Sequence, residues 1–542
     1  MTRRKSREII ERIIGEGDLI LLTPTSLGNG DSDGLTDMSL LLDEVDKTAL
    51  LTGTSIAGAL RNYLRERERG FQQAEDSHSI CRKLFGYHEE NEAQSCLIID
   101  DARSIDEEGK PKLPTTELRD GVRIDGRTRT AYIDDKGKGS KFDIELLEAG
   151  TKFKLRFELL ITQAQDKAEL LSAFATVLQG FEKRESSESG EIHLGARKRR
   201  GYGECKVENW KVKYYNLKTK NGLLAWLGFD ETKLKNVQTD EIKESRNKPI
   251  ADAIKEACSL ANDLQSDDNR EYFELNACFA LEGSMLIRSG SKLPEITNGK
   301  GQPDTVHLRS NRNGKSKAIV SGTSLAGVLR HRAVKICNTL KGGSGEKFVE
   351  KIFGVDMRVR PKDTFASRLE VKETEIGEDK INSLVQTRVK IDRFTSGAYE
   401  GALFDAAPVF AKDGGKAVEL SLKLRSVRLT KNDVEPEADE EKKSRTDAEI
   451  GLLLLLLKDL WTSDLAIGGE SSIGRGRLKG ISASLHYRKS DKEFWRINLK
   501  GADKIEVKLA EGLLPNGETE TKFLNHLVGQ LKVELGKDNA KN

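Results

Sequence analysis

Cysteine is scarce and scattered in this chain. The six, Cys81, Cys96, Cys205, Cys258, Cys278 and Cys337, form no C-x-x-C pair and have no histidine pair beside them. That argues against a structural zinc site and against a disulfide framework, and predicts free thiols in a reducing cytosol. Aromatic residues are only 6% of the sequence, so the cores must be aliphatic. No apolar run approaches the roughly 20 residues that cross a bilayer. The most apolar, Leu452–Leu457, predicts a buried helix. Residues Met1–Lys5 lead into a stretch broken by Glu11 and Glu16, unlike a signal-peptide core. A soluble, cytoplasmic chain without membrane contact is expected. Charge of one sign is also missing: 90 basic and 88 acidic residues leave a net charge of +2. The molecule is no polycation, and any nucleic-acid surface has to come from local segregation of charge.

What is present is a repeat. Gly53–Arg61 (GTSIAGALR) returns as Gly322–Arg330 (GTSLAGVLR). Leu84-Phe85-Gly86 returns as Ile352-Phe353-Gly354, and Val122-Arg123-Ile124-Asp125 as Val389-Lys390-Ile391-Asp392. A glycine-basic stretch at Gly195, Gly201 and Gly203 returns at Gly468, Gly474 and Gly476. The paired numbers differ by 269, 268, 267 and 273, a near-constant offset that marks duplication of a whole domain. The predicted layout is a first domain over 1–215, a charged helical connector over 216–270, a second domain over 271–490 and a C-terminal extension over 491–542.

In the first copy, Asp18–Leu22 reads as a strand, Gly53 onward as a helix capped by Thr54 or Ser55, and Phe153–Ile161 as a half-buried strand. Ala168–Phe181 reads as a second helix, and a strand through Trp210 closes the unit. The second copy repeats this with Glu274–Leu281, Ser324–Ile336, Val418–Val427, Ala448–Leu460 and Gly468–Leu485. Glu435–Arg445 reads as a solvated excursion. Strand, helix, strands, helix, strand is an α+β, ferredoxin-like order enlarged by insertions.

Four constellations carry possible chemistry. The loop Gly195-Ala-Arg197-Lys198-Arg199-Arg200-Gly201-Tyr-Gly203 and its counterpart Gly468–Arg477, with Gly474, Arg475, Gly476 and Arg477, suit phosphate contact by backbone N–H groups and guanidinium forks. A solvated turn is the plain alternative. The helix phrase offers an N-terminus at Ser55 and Ser324, with Arg61 and Arg330 along it. Its alternative is a capped core helix in which Gly58 and Gly327 permit close packing. The hairpin stretches carry Arg123, Arg127, Lys390 and Arg393, suited to clamping a backbone by charge, or else to salt bridging with Asp120 and Asp125. Last, acidic residues follow the first strand: Asp31, Asp33 and Asp37, and Asp304 in the second copy. Asp37 precedes Gly53 by 16 residues and Asp304 precedes Gly322 by 18, a matched placement that suits acid-base work or cation binding in RNA hydrolysis. An ordinary polar turn is the alternative. The seven histidines do not recur between copies, so no shared catalytic histidine is expected.

With these residues in view, the chain resembles the RAMP superfamily of CRISPR–Cas proteins, specifically backbone subunits of type III effector complexes. The resemblance rests on Asp37, Gly53–Arg61, Leu84–Gly86, Val122–Thr128 and Gly195–Gly203, and again on Asp304, Gly322–Arg330, Ile352–Gly354, Lys390–Thr395 and Gly468–Gly476. Two such domains in one chain look like the fused subunits of type III-D-like systems. One departure is Ala57, and Ala326 in the second copy, where the family has a lysine. The resemblance implies that each domain grips CRISPR guide RNA and projects a thumb-like hairpin that kinks the guide–target duplex, while base pairing reads sequence. It implies cleavage of target RNA by Asp37 and Asp304 with a divalent metal, magnesium, and partnership with other effector subunits. A non-catalytic guide scaffold and a guide-processing nuclease are the alternatives.

Overall fold

A computed structural model describes residues 8–30, 38–87, 94–126, 128, 130–133, 137, 139, 141–162, 167–184, 187–228, 242–261, 264, 267–289, 303–341, 345–355, 365–412, 417–427, 430–431, 435–436, 438–489, 492–500, 504–509 and 520–537. The chain forms two compact units, and neither is continuous in sequence. The first holds Met1–Glu117, Glu145–Lys198 and Tyr202–Arg270; the second holds Leu118–Ile144, Arg199–Gly201 and Glu271–Asn542.

The first unit is built on β1 (Ile9–Leu21), α1 (Gly53–Arg69), β2 (Leu97–Ile99), β3 (Lys152–Thr162), α2 (Lys167–Gln179) and β4 (Cys205–Asn216). β1 runs up the middle, antiparallel to β3 on one side and β4 on the other, and β2 pairs with β3. The spatial order is β4-β1-β3-β2. β1 starts well before the predicted Asp18, because Ile9, Ile10, Ile13 and Ile14 are β-branched residues that suit a pleated, half-buried surface. Its ladder to β4 shifts between Glu16 and Asp18, beside Gly17, where a Cβ would press on Val207 and the Trp210 ring. Ile56, Leu60, Tyr63 and Leu64 make the buried stripe of α1, and Leu170, Leu171, Phe174, Val177 and Leu178 that of α2. Both stripes lie in one core with Ile13, Leu19, Phe153, Phe157 and Val212.

The expected connector belongs to this unit. β5 (Ile242–Arg246) adds an edge strand to β4. α3 (Ile250–Ala257) buries Ile250, Ala253 and Ile254 in the same core.

The second unit repeats the arrangement with β6 (Glu271–Glu282), α4 (Gly322–Lys341), β7 (Leu369–Val371), β8 (Val418–Arg425), α5 (Asp439–Trp461) and β9 (Arg477–Lys489). Its order is β9-β6-β8-β7, again antiparallel. The C-terminal extension continues this sheet through β10 (Lys492–Lys500) and β11 (Lys504–Leu509), then returns as α6 (Glu520–Lys537). Leu527, Leu531 and Leu535 of α6 join the unit's core. Gly451 lets α6 close on α5, since a Cβ there would strike Leu527 O.

The predicted solvated excursion at 435–445 is corrected in its second half. α5 begins at Asp439, and Arg445 is buried against Glu449, which also pairs with Arg368. One arginine a helical turn away and a second just before β7 neutralise this buried carboxylate, which holds the charged stretch as helix. All six cysteines are free, four of them buried. Among the described residues no helix is long and apolar enough to cross a membrane.

Candidate nucleic-acid interface

The helix caps lie two to three residues earlier than the sequence suggests. Thr52 and Ser321 are the caps: their hydroxyls accept from the N–H of Ser55 and Ser324, each at 3.3 Å, and donate to the hydroxyls of those serines at 2.9 Å. Gly53 and Gly322 are required by close approach, because a Cβ would collide with Ile99 O or Val371 O. In the first helix Gly53 N–H already donates to Asp101 at 2.6 Å. Gly58 and Gly327 do not pack against anything: both are exposed, with no atom within 4 Å of where a Cβ would stand. The expectation of close packing there fails. Arg61 is clasped by Glu75 through two hydrogen bonds of 2.8 and 2.6 Å, which lowers the glutamate's pKa and raises the arginine's. Arg330 is half-buried.

Each repeat also has a hairpin. In the first the strands are Thr116–Val122 and Lys141–Leu147; in the second they are Gln386–Ile391 and Ala398–Ala407. The turns are alike. Asp125 Oδ1 accepts from the Thr128 N–H at 2.7 Å and its hydroxyl at 3.1 Å, and Asp392 Oδ1 accepts from the Thr395 N–H at 2.8 Å and its hydroxyl at 3.2 Å. Backbone donation by Thr395 and Phe394 holds the Asp392 carboxyl below its ordinary range. Asp125 thus shapes a turn. Asp120 approaches Lys141 at 4.0 Å.

Behind the turns a cation lies over a tyrosine ring, Arg123 over Tyr132 at 4.3 Å and Lys390 over Tyr399 at 4.7 Å. The tyrosines share the 267-residue offset of the Asp pair, a signal the sequence held and motif reading passed over. Around them Val122, Ile124, Ile133, Val389, Ile391 and Leu403 are solvent-exposed, and Phe394 at the second tip is 97% exposed. Arg393 is exposed beside it, and Arg127 lies outside the described residues.

The glycine loops take their shape from their own chain. Gly195, Gly203, Gly468 and Gly476 all have positive φ, and a Cβ at each would strike a carbonyl oxygen, of Ser26, Leu194, Leu286 and Ile467 respectively. Gly201 is closed in by the Glu373 backbone, whereas Gly474 faces open space. Arg199 and Arg200 are committed to structure. Arg199 donates to Ser367 O, and Arg200 donates to Leu369 O at 2.9 Å and to Arg199 O at 3.0 Å. Burial, then the charges of Arg199 and Arg330, pushes the Arg200 pKa down to about 10. Arg197 and Lys198 stand exposed at the loop tip. In the second loop Arg475 is buried and Arg477 exposed.

Asp37, with Asp31 and Asp33, lies outside the described residues. Asp304 is exposed at the start of strand Thr305–His307. That strand sits in a four-stranded sheet between Arg288–Ser289 and the hairpin strand Ala398–Ala407. Asp304 Oδ2 accepts from the Asp405 N–H at 2.9 Å, so the carboxylate is fixed to the root of the second hairpin. Nearby His307 is buried and neutral: its Nδ1 accepts from Ile287 N–H at 3.2 Å and its Nε2 faces Ile319 O at 3.0 Å. Among the described residues no group of three or more His, Cys, Asp or Glu is arranged to hold a metal.

The two repeats thus carry the same set: a capped helix with an open glycine, a cation-bearing hairpin and a glycine loop. A family model described as RAMP superfamily matches residues 18–206 and 280–479, one stretch in each repeat. No curated protein matches the chain. The matched stretches cover well over half the sequence, and the chain belongs to the RAMP superfamily of CRISPR-associated RNA-binding proteins, with two of its domains in tandem.

Proposed function

We propose that the chain is a guide-RNA-binding backbone subunit of a type III CRISPR effector, and that it cuts the target RNA paired to that guide. The observation that carries this reading is the duplicated hairpin. Two tips, one from each repeat, share one turn, one cation over one tyrosine and an apolar surface left in water. Exposed apolar and cationic groups side by side suit a surface that meets both stacked bases and phosphates. The strand orders β4-β1-β3-β2 and β9-β6-β8-β7, with two helices between, support a ferredoxin-like core. Gly58 and Gly327 support contact near the helix N-termini, for an unpacked glycine inside a helix costs about 1 kcal/mol relative to alanine. Room for an RNA backbone is a reason to keep it twice.

Cleavage is proposed at Asp37 and Asp304. Magnesium binds through one or two carboxylates together with substrate phosphates. An exposed Asp304, tethered by one backbone N–H at the hairpin root, fits that mode. The metal would promote attack on the phosphodiester; the chain's part is to hold the carboxylate beside the hairpin that displaces the duplex.

The test is an assembled, guide-loaded complex carrying D37A, D304A or both. Each single substitution is expected to abolish one cut and keep the other, with guide binding unchanged. Unaltered cutting in the double variant would make the chain a non-catalytic scaffold, and changed guide length alone would make it a processing enzyme.

A further inference from the structure

The glycine loops of the two repeats carry opposite charge at one backbone position. Arg197 and Glu470 occupy the same place, 273 residues apart, and both adopt a left-handed conformation with φ of 54° and 59°. Around Glu470 three guanidiniums converge. Arg388, from the hairpin root, donates to both carboxylate oxygens at 2.8 and 2.7 Å. Arg288, from the strand beside Asp304's, donates at 3.2 Å, and Arg475 Nε lies at 3.1 Å.

One carboxylate against three guanidiniums leaves an excess of two positive charges. The Arg475 side chain is only 4% exposed, yet its Nη1 has no hydrogen-bond partner, and neither has Arg388 Nε. A buried guanidinium donor left unpaired is costly unless a ligand satisfies it. Burial holds the Arg475 pKa below its ordinary value, as expected for a cation short of counter-charge. Donors grouped in this way suit an anion that accepts several N–H bonds at once.

We propose that Arg288, Arg388 and Arg475 form an oxyanion site for an RNA phosphodiester, organised by Glu470, at the meeting of the second glycine loop, the second hairpin root and the Asp304 strand. Glu470 is a positioning residue: it keeps three mutually repelling guanidiniums together while leaving donors for a phosphate. Among the described residues the first repeat has no equivalent. Its counterparts to Arg388 and Arg475 are Gly121 and Tyr202, and its loop carries an exposed Arg197. The two repeats therefore grip RNA by different chemistry, one with exposed cations and one with a preformed clamp.

This inference rests on the RNA-binding reading, so its test separates the two. The full chain is titrated with a fluorescein-labelled single-stranded RNA across a salt series, and each variant's fold is checked by thermal melting. R288Q and R388Q are each expected to weaken binding and flatten the log–log salt slope by about 0.7. E470Q, which keeps an acceptor but removes the negative charge, is expected to steepen the slope by a similar amount. R475Q would disturb a buried group, so the deciding variants are the other three. Wild-type slopes in R288Q, R388Q and E470Q, with a loss in R197Q, would overturn the clamp and leave RNA binding standing. Wild-type slopes in all four would remove the RNA-binding reading itself.

Discussion

At the scale of single residues, roles are set by partners more than by residue type. Four consecutive cations at Arg197–Arg200 look equivalent in the sequence. The fold leaves two exposed and turns two onto backbone carbonyls, so charge-removing substitutions at Arg197 and Arg199 should differ in kind. His307 makes a sharper case. Burial drops its pKa from 6.5 to about 4, so the folded protein keeps it neutral where the unfolded chain would protonate it. Unfolding then takes up a proton between these values. The contribution is fully present above pH 6.5 and is lost as pH falls toward 4, about 3 kcal/mol in all at about 1.4 kcal/mol per pH unit. Urea midpoints measured at pH 7.5, 6 and 5 should therefore fall more steeply in the wild type than in His307→Gln. Parallel profiles would mean that the imidazole titrates alike in both states.

At the scale of elements, the sequence placed β1, α1, β3, α2 and β4 and their second-repeat counterparts approximately, missed their ends, and did not find the short strands β2 and β7. Ends depend on capping and pairing partners distant in sequence. α5 extends back to Asp439 because Arg445 finds Glu449, which is also paired with Arg368, 81 residues before it. The hairpins were legible as charged phrases, but their apolar faces were not, since exposure is not a local property. The open glycines yield a test with opposed signs. Gly58→Ala and Gly327→Ala meet no atom and remove a helix-destabilising residue, so each should raise stability by about 0.5–1 kcal/mol. If the RNA backbone passes there, the same variants weaken RNA binding. Greater stability with unchanged affinity would show that these glycines are not contacts.

For the whole molecule, the repeat was plain in the sequence but the partition into units was not. The second unit recruits Leu118–Ile144 and Arg199–Gly201 from the first repeat. Arg119 from that segment and Arg312 both pair with Glu373, whose side chain is 1% exposed. Removing one partner of a buried ion pair costs about 3–5 kcal/mol. Because Arg312 still pairs with Glu373, Arg119→Met in the full chain should destabilise the protein by less, about 1.5–3 kcal/mol in chemical denaturation. A fragment spanning 271–542 lacks Arg119, Arg199 and Arg200 together, and should fail to give a cooperative melt. A stable, cooperative fragment would show that the second repeat folds without these borrowed segments.

The sequence alone determined the duplication, the alternation of strands and helices, and the locations of the charged hairpin phrases and basic loops. These follow from local pattern and from repetition at a fixed offset. Only the tertiary structure decided which cations are tied to carbonyls and carboxylates, which glycines yield to a neighbouring oxygen and which stand open, and that Glu470 gathers three arginines. Electrostatic partners and steric neighbours are fixed by distance in space, and residues as far as 254 positions apart in the chain supply them.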